Sequence, residues 1–175
     1  VKKEVATMPH PGYSPAERAA ILDELVAALS KIPCVLGVLL VGSGAIGFRD
    51  EWSDLDLVVV TNSDDFAAVI SATRENILPA LRPEFLTSYE HRPDVVVLCA
   101  LLPNQLNIDL GVWSIEVLFA SSPNWRVIWT RDEAARTAIE RTMAEHPPAQ
   151  RAGEPVISGD DPAWQREYGK RRPAR

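Results

Sequence analysis

Gly42-Ser43-Gly44-Ala45-Ile46-Gly47-Phe48-Arg49-Asp50-Glu51-Trp52-Ser53-Asp54-Leu55-Asp56-Leu57 is the stretch whose reading decides the fold. The apolar run Val35 to Val41 leads into it, and the apolar run Leu57 to Val60 leaves it. Both runs have strand length, so the stretch reads as a glycine-rich turn between two strands. Asp54 and Asp56 are spaced i, i+2, which on a strand puts both carboxylates on one face. Leu55 and Leu57 then point the opposite way, into a core. Two like charges held side by side are unfavourable unless something positive sits between them. The simplest candidate is a divalent metal, and one that carries a phosphate. Gly42 and Ser43, at a strand end, let backbone N–H groups and a hydroxyl approach that phosphate. A short helix starting there would add its positive end.

A rival reading starts from the same glycines. Gly42-Ser43-Gly44-Ala45-Ile46-Gly47 fits G-x-G-x-x-G after a strand, the dinucleotide-binding fingerprint, and Asp64 lies about twenty residues on. The connection argues against it. A parallel crossover needs a helix and about ten to twelve residues or more between strands. Phe48 to Ser53 is all that remains after the glycines, and it has no apolar helical face. The rival also leaves the paired aspartates unexplained.

Bulk properties narrow the class. With 175 residues, 46% of them hydrophobic, the chain can bury a core as one globular domain. A net charge of −6 argues against a general nucleic-acid binder, which wants a basic face. The two cysteines, Cys34 and Cys99, each lie beside an apolar run and read as small buried hydrophobes in a reducing compartment. No apolar signal segment follows Val1-Lys2-Lys3-Glu4, and the most apolar window, Ile32 to Phe48, is short and broken by glycines. A cytoplasmic protein without a membrane span is therefore expected.

Residues 1–13 read as a flexible lead-in, 14–146 as the folded domain and 147–175 as a polar, Arg-rich extension with a short helix at 162–171. Ser14-Pro15-Ala16-Glu17 is a helix start, and Ile21, Leu22, Leu25, Val26 and Leu29 continue it over 15–31. Strands are expected at 34–41 and 54–61, and a helix over 66–78 ended by Pro79. Residues 83–92 are ambiguous, with a short strand at Phe85 to Tyr89 as one option. Residues 94–102 and 106–113 read as a hairpin, 125–130 as a last strand and 132–143 as a third helix. This order is α+β, with a mixed sheet flanked by helices rather than regular β-α-β alternation.

The pattern of an apolar residue, Gly-Ser, about ten residues, then Asp-apolar-Asp-apolar resembles that of the nucleotidyltransferase superfamily typified by DNA polymerase beta. Here it is Val41-Gly42-Ser43, then Gly44 to Ser53, then Asp54-Leu55-Asp56-Leu57. The finer form, Gly-Ser-x-Ala-x-Gly followed by Ser-Asp-x-Asp-Leu, is similar to the small antibiotic-modifying branch, the aminoglycoside and lincosamide nucleotidyltransferases.

The resemblance implies two Mg2+ ions and transfer of a nucleoside monophosphate, AMP in the first instance, from ATP or another nucleoside triphosphate to a hydroxyl of a small molecule. Asp54 and Asp56 would hold metal, and Gly42 and Ser43 the triphosphate. Ser53 would support the metal aspartate, or merely cap a turn. The family's third carboxylate falls on Asp109, an acid inside the apolar run Leu106 to Trp113, where burial without a partner is costly. Asp94, behind a proline at a strand end, is the weaker rival. Trp52 could line an acceptor pocket. Arg49, Asp50, Glu51, His10, His91 and His146 read as solvent residues. Minimal members of toxin–antitoxin pairs, which modify or pair with a protein, and nucleotide-binding modules without turnover share the motif, so these readings stay open. A homo-oligomer that completes the acceptor pocket stays open too.

Overall fold

The computed structural model describes residues 13–48, 53–119 and 124–145. The lead-in before Tyr13, the segment with Arg49, Asp50, Glu51 and Trp52, and the extension with its short helix lie outside the described residues, as do His10 and His146.

Helix α1 (Pro15–Leu29) starts at the expected capping box. The Ser14 hydroxyl accepts from the Glu17 N–H at 3.2 Å, and the Ser14 N–H donates to the Glu17 carboxylate at 2.9 Å. Strands β1 (Val35–Val41) and β2 (Leu55–Thr61) follow, separated by the glycine-rich segment. Helix α2 (Phe66–Ala72) runs through a π-helical turn (Thr73–Ile77) into the short α3 (Leu78–Ala80). Pro79 therefore does not end the helical path where the sequence implies. Leu78 N–H bonds back to the Thr73 carbonyl, five residues away. That wider turn leads into Pro79 in the first turn of α3, where its missing N–H costs nothing.

Strands β3 (Phe85–Arg92), β4 (Val95–Leu101), β5 (Asn107–Ser114) and β6 (Trp125–Thr130) complete the sheet, and α4 (Glu133–Glu145) ends the described chain. The ambiguous segment 83–92 is thus a full edge strand. It is hard to read locally because none of its residues is fully buried and its aromatics, Phe85 and Tyr89, stand at exposed positions, which blurs the alternation that marks a half-buried strand. Pairing with β4 supplies what its own sequence lacks. Asp94, with φ 61°, is exposed in the tight turn joining them.

The six strands form one mixed sheet in the order β3-β4-β5-β2-β1-β6. Every neighbouring pair is antiparallel except β2 and β5, which run parallel. The sheet is the middle layer. Leu55, Leu57, Val59, Ile108, Leu110 and Val112 of the central strands pack on one face with Leu25 and Leu29 of α1 and Val69 of α2. Val58, Val60, Leu39 and Trp113 pack on the other with Ile139 and Met143 of α4. Central strands buried on both faces read as continuous apolar runs, which is why they were legible.

Helix α4 approaches β1 closely because Gly37 has no side chain. A Cβ at Gly37 would come within 2.5 Å of the Ile139 Cδ1. Gly37→Ala is expected to cost roughly 1–3 kcal/mol of stability in urea unfolding. Ile139→Val removes the methyl that clashes, so the double variant should recover part of that loss. Additive losses in the double-mutant cycle would refute this contact.

Candidate active site

The site is built by strand register. Asp56, the second residue of β2, lies directly beside Asp109 of β5 in the parallel pair. On the other side of Asp109 lies Cys99 of β4. Leu55 and Leu57 are buried in the core that α1 and α2 cover, so Asp56 projects from the opposite face. The same alternation puts Asp109, between Ile108 and Leu110, and Cys99, between Leu98 and Ala100, on that face. The row Cys99, Asp109, Asp56 therefore crosses three adjacent strands. Asp54 precedes β2 by one residue and is exposed, while Ser53 beside it is half-buried.

The turn after β1 closes on this row. Gly42 has φ 62°, in the left-handed region that disfavours a side chain. A Cβ there would stand 2.9 Å from the Asp56 Oδ2. Gly42 and Ser43, both half-buried, open a five-residue 3-10 turn, Gly42–Ile46. Such a turn is too short to supply the positive helix end that the sequence suggested. The Gly42 N–H also donates to the Asn124 carbonyl at 3.0 Å. Gly42 thus serves the row by making room for Asp56, and its own N–H is committed to the lead into β6.

Electrostatics mark the row as under tension. The Asp56 carboxyl is pushed up to about 6, by burial first, then by the Asp109 and Asp54 charges. Asp109 Oδ1 is buried and meets no hydrogen-bond partner among the described residues. A carboxylate oxygen shut away from water and unpaired is costly. The Cys99 thiol is pushed up to about 12, by burial first and then by its hydrogen bond to Asp109 and that residue's charge. The Tyr89 phenol is raised as well, by burial and then by Cys99 and Asp109. Tyr89 is exposed on the same face of edge strand β3.

A divalent cation fits these groups. Hard carboxylate oxygens suit magnesium, an orphaned oxygen is waiting for a partner, and a positive charge would relieve the repulsion that lifts Asp56. Among the described residues, no three acidic, His or Cys side chains close around one point as a complete metal cage. A cation bound here would therefore take ligands from water or phosphate oxygens as well as from these side chains.

Comparison with known proteins adds the family. A family model described as a nucleotidyltransferase domain matches residues 22–115, more than half of the chain. The chain belongs to the nucleotidyltransferase domain family. The matched residues hold Gly42, Ser43, Ser53, Asp54, Asp56 and Asp109. No curated protein matches the chain.

Among solved structures, this nucleotidyltransferase domain is similar to a chain of the GLD-2/RNP-8 complex, at 19% identity and a TM-score of 0.41, over 56% of this chain and 36% of that one. It is similar to the polymerase core of TRAMP, an RNA surveillance complex, at 15% identity and a TM-score of 0.40, over 58% and 33%. It is also similar to the non-canonical poly(A) polymerase complex GLD-2–GLD-3, at 17% identity and a TM-score of 0.42, over 58% and 36%. The domain spans about a third of the length of each of these chains.

Cys99 is the residue that sequence reasoning missed. Its sequence setting reads as that of a core filler, yet it is half-buried and stands beside Asp109 across the β4–β5 pair. Nothing in its local sequence signals this, because the register of β4 on β5 creates the contact. Cys34 does pack against the main core, as expected. Asp94, the rival third carboxylate, sits in the β3–β4 turn at the opposite end of β4 from Cys99. His91 is exposed, as expected.

Because Asp56 holds its proton more tightly folded than unfolded, its favourable contribution is present at low pH and is lost as pH rises from about 4 through about 6. Asp56→Asn should therefore be more stable than the wild type at about pH 7.5 without metal, with the gap closing toward about pH 4. Urea unfolding across that pH range checks it. An unchanged gap would mean that the Asp56 carboxyl is not raised in the folded protein.

Proposed function

We propose that this domain transfers a nucleoside monophosphate, most simply AMP, from a magnesium-bound nucleoside triphosphate to a hydroxyl of an acceptor. The observation that carries the proposal is the register pairing of Asp56 with Asp109, with an orphaned Asp109 oxygen and a glycine pressed against Asp56.

In this reading Asp56 and Asp109 hold metal between them, and Asp54, on its exposed approach to β2, completes the set. When bound, two Mg2+ ions supply charge that stabilises the attacking and leaving oxygens of an in-line displacement at phosphorus. Ser43 offers its hydroxyl to the triphosphate lying over the turn, and Gly42 keeps that turn close to Asp56. Ser53 steadies the approach to Asp54. Asp109 would take up the proton of the acceptor hydroxyl as that oxygen attacks the α-phosphorus, the α–β phosphoanhydride bond breaks and pyrophosphate leaves.

The acceptor we favour is a small hydroxylated molecule of the aminoglycoside type. The finer motif form from Gly42 to Leu57 supports this, as does the acidic balance of the chain, which suits a cationic acceptor. The exposed face beside Asp109, with Tyr89 and Phe85 on β3, offers such a molecule an apolar wall. A minimal member of a toxin–antitoxin pair that modifies a protein is the second reading.

Thermal shift with Mg2+ and a non-hydrolysable ATP analogue tests the site. Wild type should be stabilised only with both present, and Asp56→Asn and Asp109→Asn should abolish the shift. Turnover with labelled ATP should fall more than about 100-fold in either variant, beyond the 10–100-fold typical of outer partners of a metal ligand. An undiminished shift in both variants would end the metal assignment. Label on hydroxylated antibiotics supports the small-molecule reading, and label on a lysate protein supports the second.

A further inference from the structure

We propose that Cys99 is the positioning residue of the Asp109 carboxylate: its thiol donates to one carboxylate oxygen and leaves Oδ1 as the atom offered to a cation shared with Asp56. The inference rests on the metal-site reading above and adds a role for a residue outside the motif.

Three observations carry it. Cys99 and Asp109 are direct cross-strand partners on β4 and β5, so their side chains leave the same face next to each other. The register sets the Cys99 thiol beside the Asp109 carboxylate, while Asp109 Oδ1 meets no hydrogen-bond partner among the described residues. Asp56 stands on the far side of Asp109 in the same row. Asp109 is thus flanked by a proton donor on one side and a like charge on the other. A carboxylate is an acceptor through both oxygens, and a protonated thiol can only donate to it. The donor side secures one oxygen, and the repulsive side is where a cation would be welcome.

The ordinary alternative is that Cys99 only fills space in β4. The two roles make different demands on the side chain. A filler needs the volume and apolar character of the thiol, and valine would satisfy it. A positioning residue needs the proton, which serine keeps and valine lacks. Metal ligands are commonly oriented by such outer partners, whose loss weakens metal affinity 10–100-fold.

The test uses Cys99→Ser, Cys99→Val and Cys99→Ala in the full chain. Binding of a non-hydrolysable ATP analogue is measured by calorimetry across a Mg2+ titration, and stability without metal by urea unfolding. Cys99→Val and Cys99→Ala should both weaken Mg2+-dependent binding about 10-fold or more, and Cys99→Ser should stay within about 3-fold of wild type. The metal-free stability of the three variants should not follow that order. Equal binding in all three, or an equal loss in serine and valine, overturns the positioning role. Asp56→Asn runs alongside: if it abolishes binding while Cys99→Val and Cys99→Ala do not weaken it, Cys99 is filler and the metal site stands. If Asp56→Asn binds like wild type, the metal-site reading itself fails, and this inference with it.

Discussion

Two carboxylates face one another across the parallel pair β2–β5, and the rest of the structure can be understood as the means of keeping them there. Adjacent strands lie about 4.8 Å apart. Two unit charges at about 5 Å repel by about 3 kcal/mol where the effective dielectric is about 20. Left to itself, such a pair would separate or take up a proton. The sheet prevents separation, since β2 and β5 are central strands whose other residues are buried in layers above and below. The Asp56 carboxyl is raised by its burial first and by this repulsion second.

The surrounding architecture divides its labour accordingly. Helices α1 and α2 cover one whole side of the central strands with Leu25, Leu29 and Val69. Helix α4 covers the other side over β1 and β6, seated where Gly37 lets Ile139 descend. The remaining half of that face, over β3, β4 and β5, carries Cys99, Asp109 and the exposed Phe85 and Tyr89. Charge, a thiol and two exposed aromatics thus share one side of these three strands. Gly42 bounds that side from the turn, because any side chain there would strike Asp56 and strain the backbone. Stability is thereby given up locally, as is common where groups are arranged for chemistry rather than for packing.

Much of this was legible from local pattern. The capping box at Ser14 and Glu17, the apolar runs of β1, β2, β4 and β5, and the glycine turn are all short-range signals, and the structure follows them. The failures were also physical. Strand β3 carries too much exposure to show a period, and it exists through its ladder with β4. Pro79 should stop a helix by local rule, but a π-helical turn ahead of it lets the path continue for another turn. The turn at Gly42 and Ser43 reads as one whose backbone N–H groups can approach a phosphate, and the Gly42 N–H itself donates to the Asn124 carbonyl, eighty-two positions away in sequence. Asp109 was singled out because an acid in an apolar strand is conspicuous at the level of composition.

By itself, then, the order of residues determined where most of the strands and helices lie and that Asp109 is an acid in an apolar setting. Those properties depend on periodicity and polarity over a few neighbouring positions. What only the tertiary structure decided is that β5 runs parallel to β2 in a register that sets Asp109 against Asp56, and that β4 brings Cys99 to the far side of Asp109. Register between strands distant in the chain is a property of the packed sheet. It is chosen by which apolar faces can be buried together, and no local spacing encodes it.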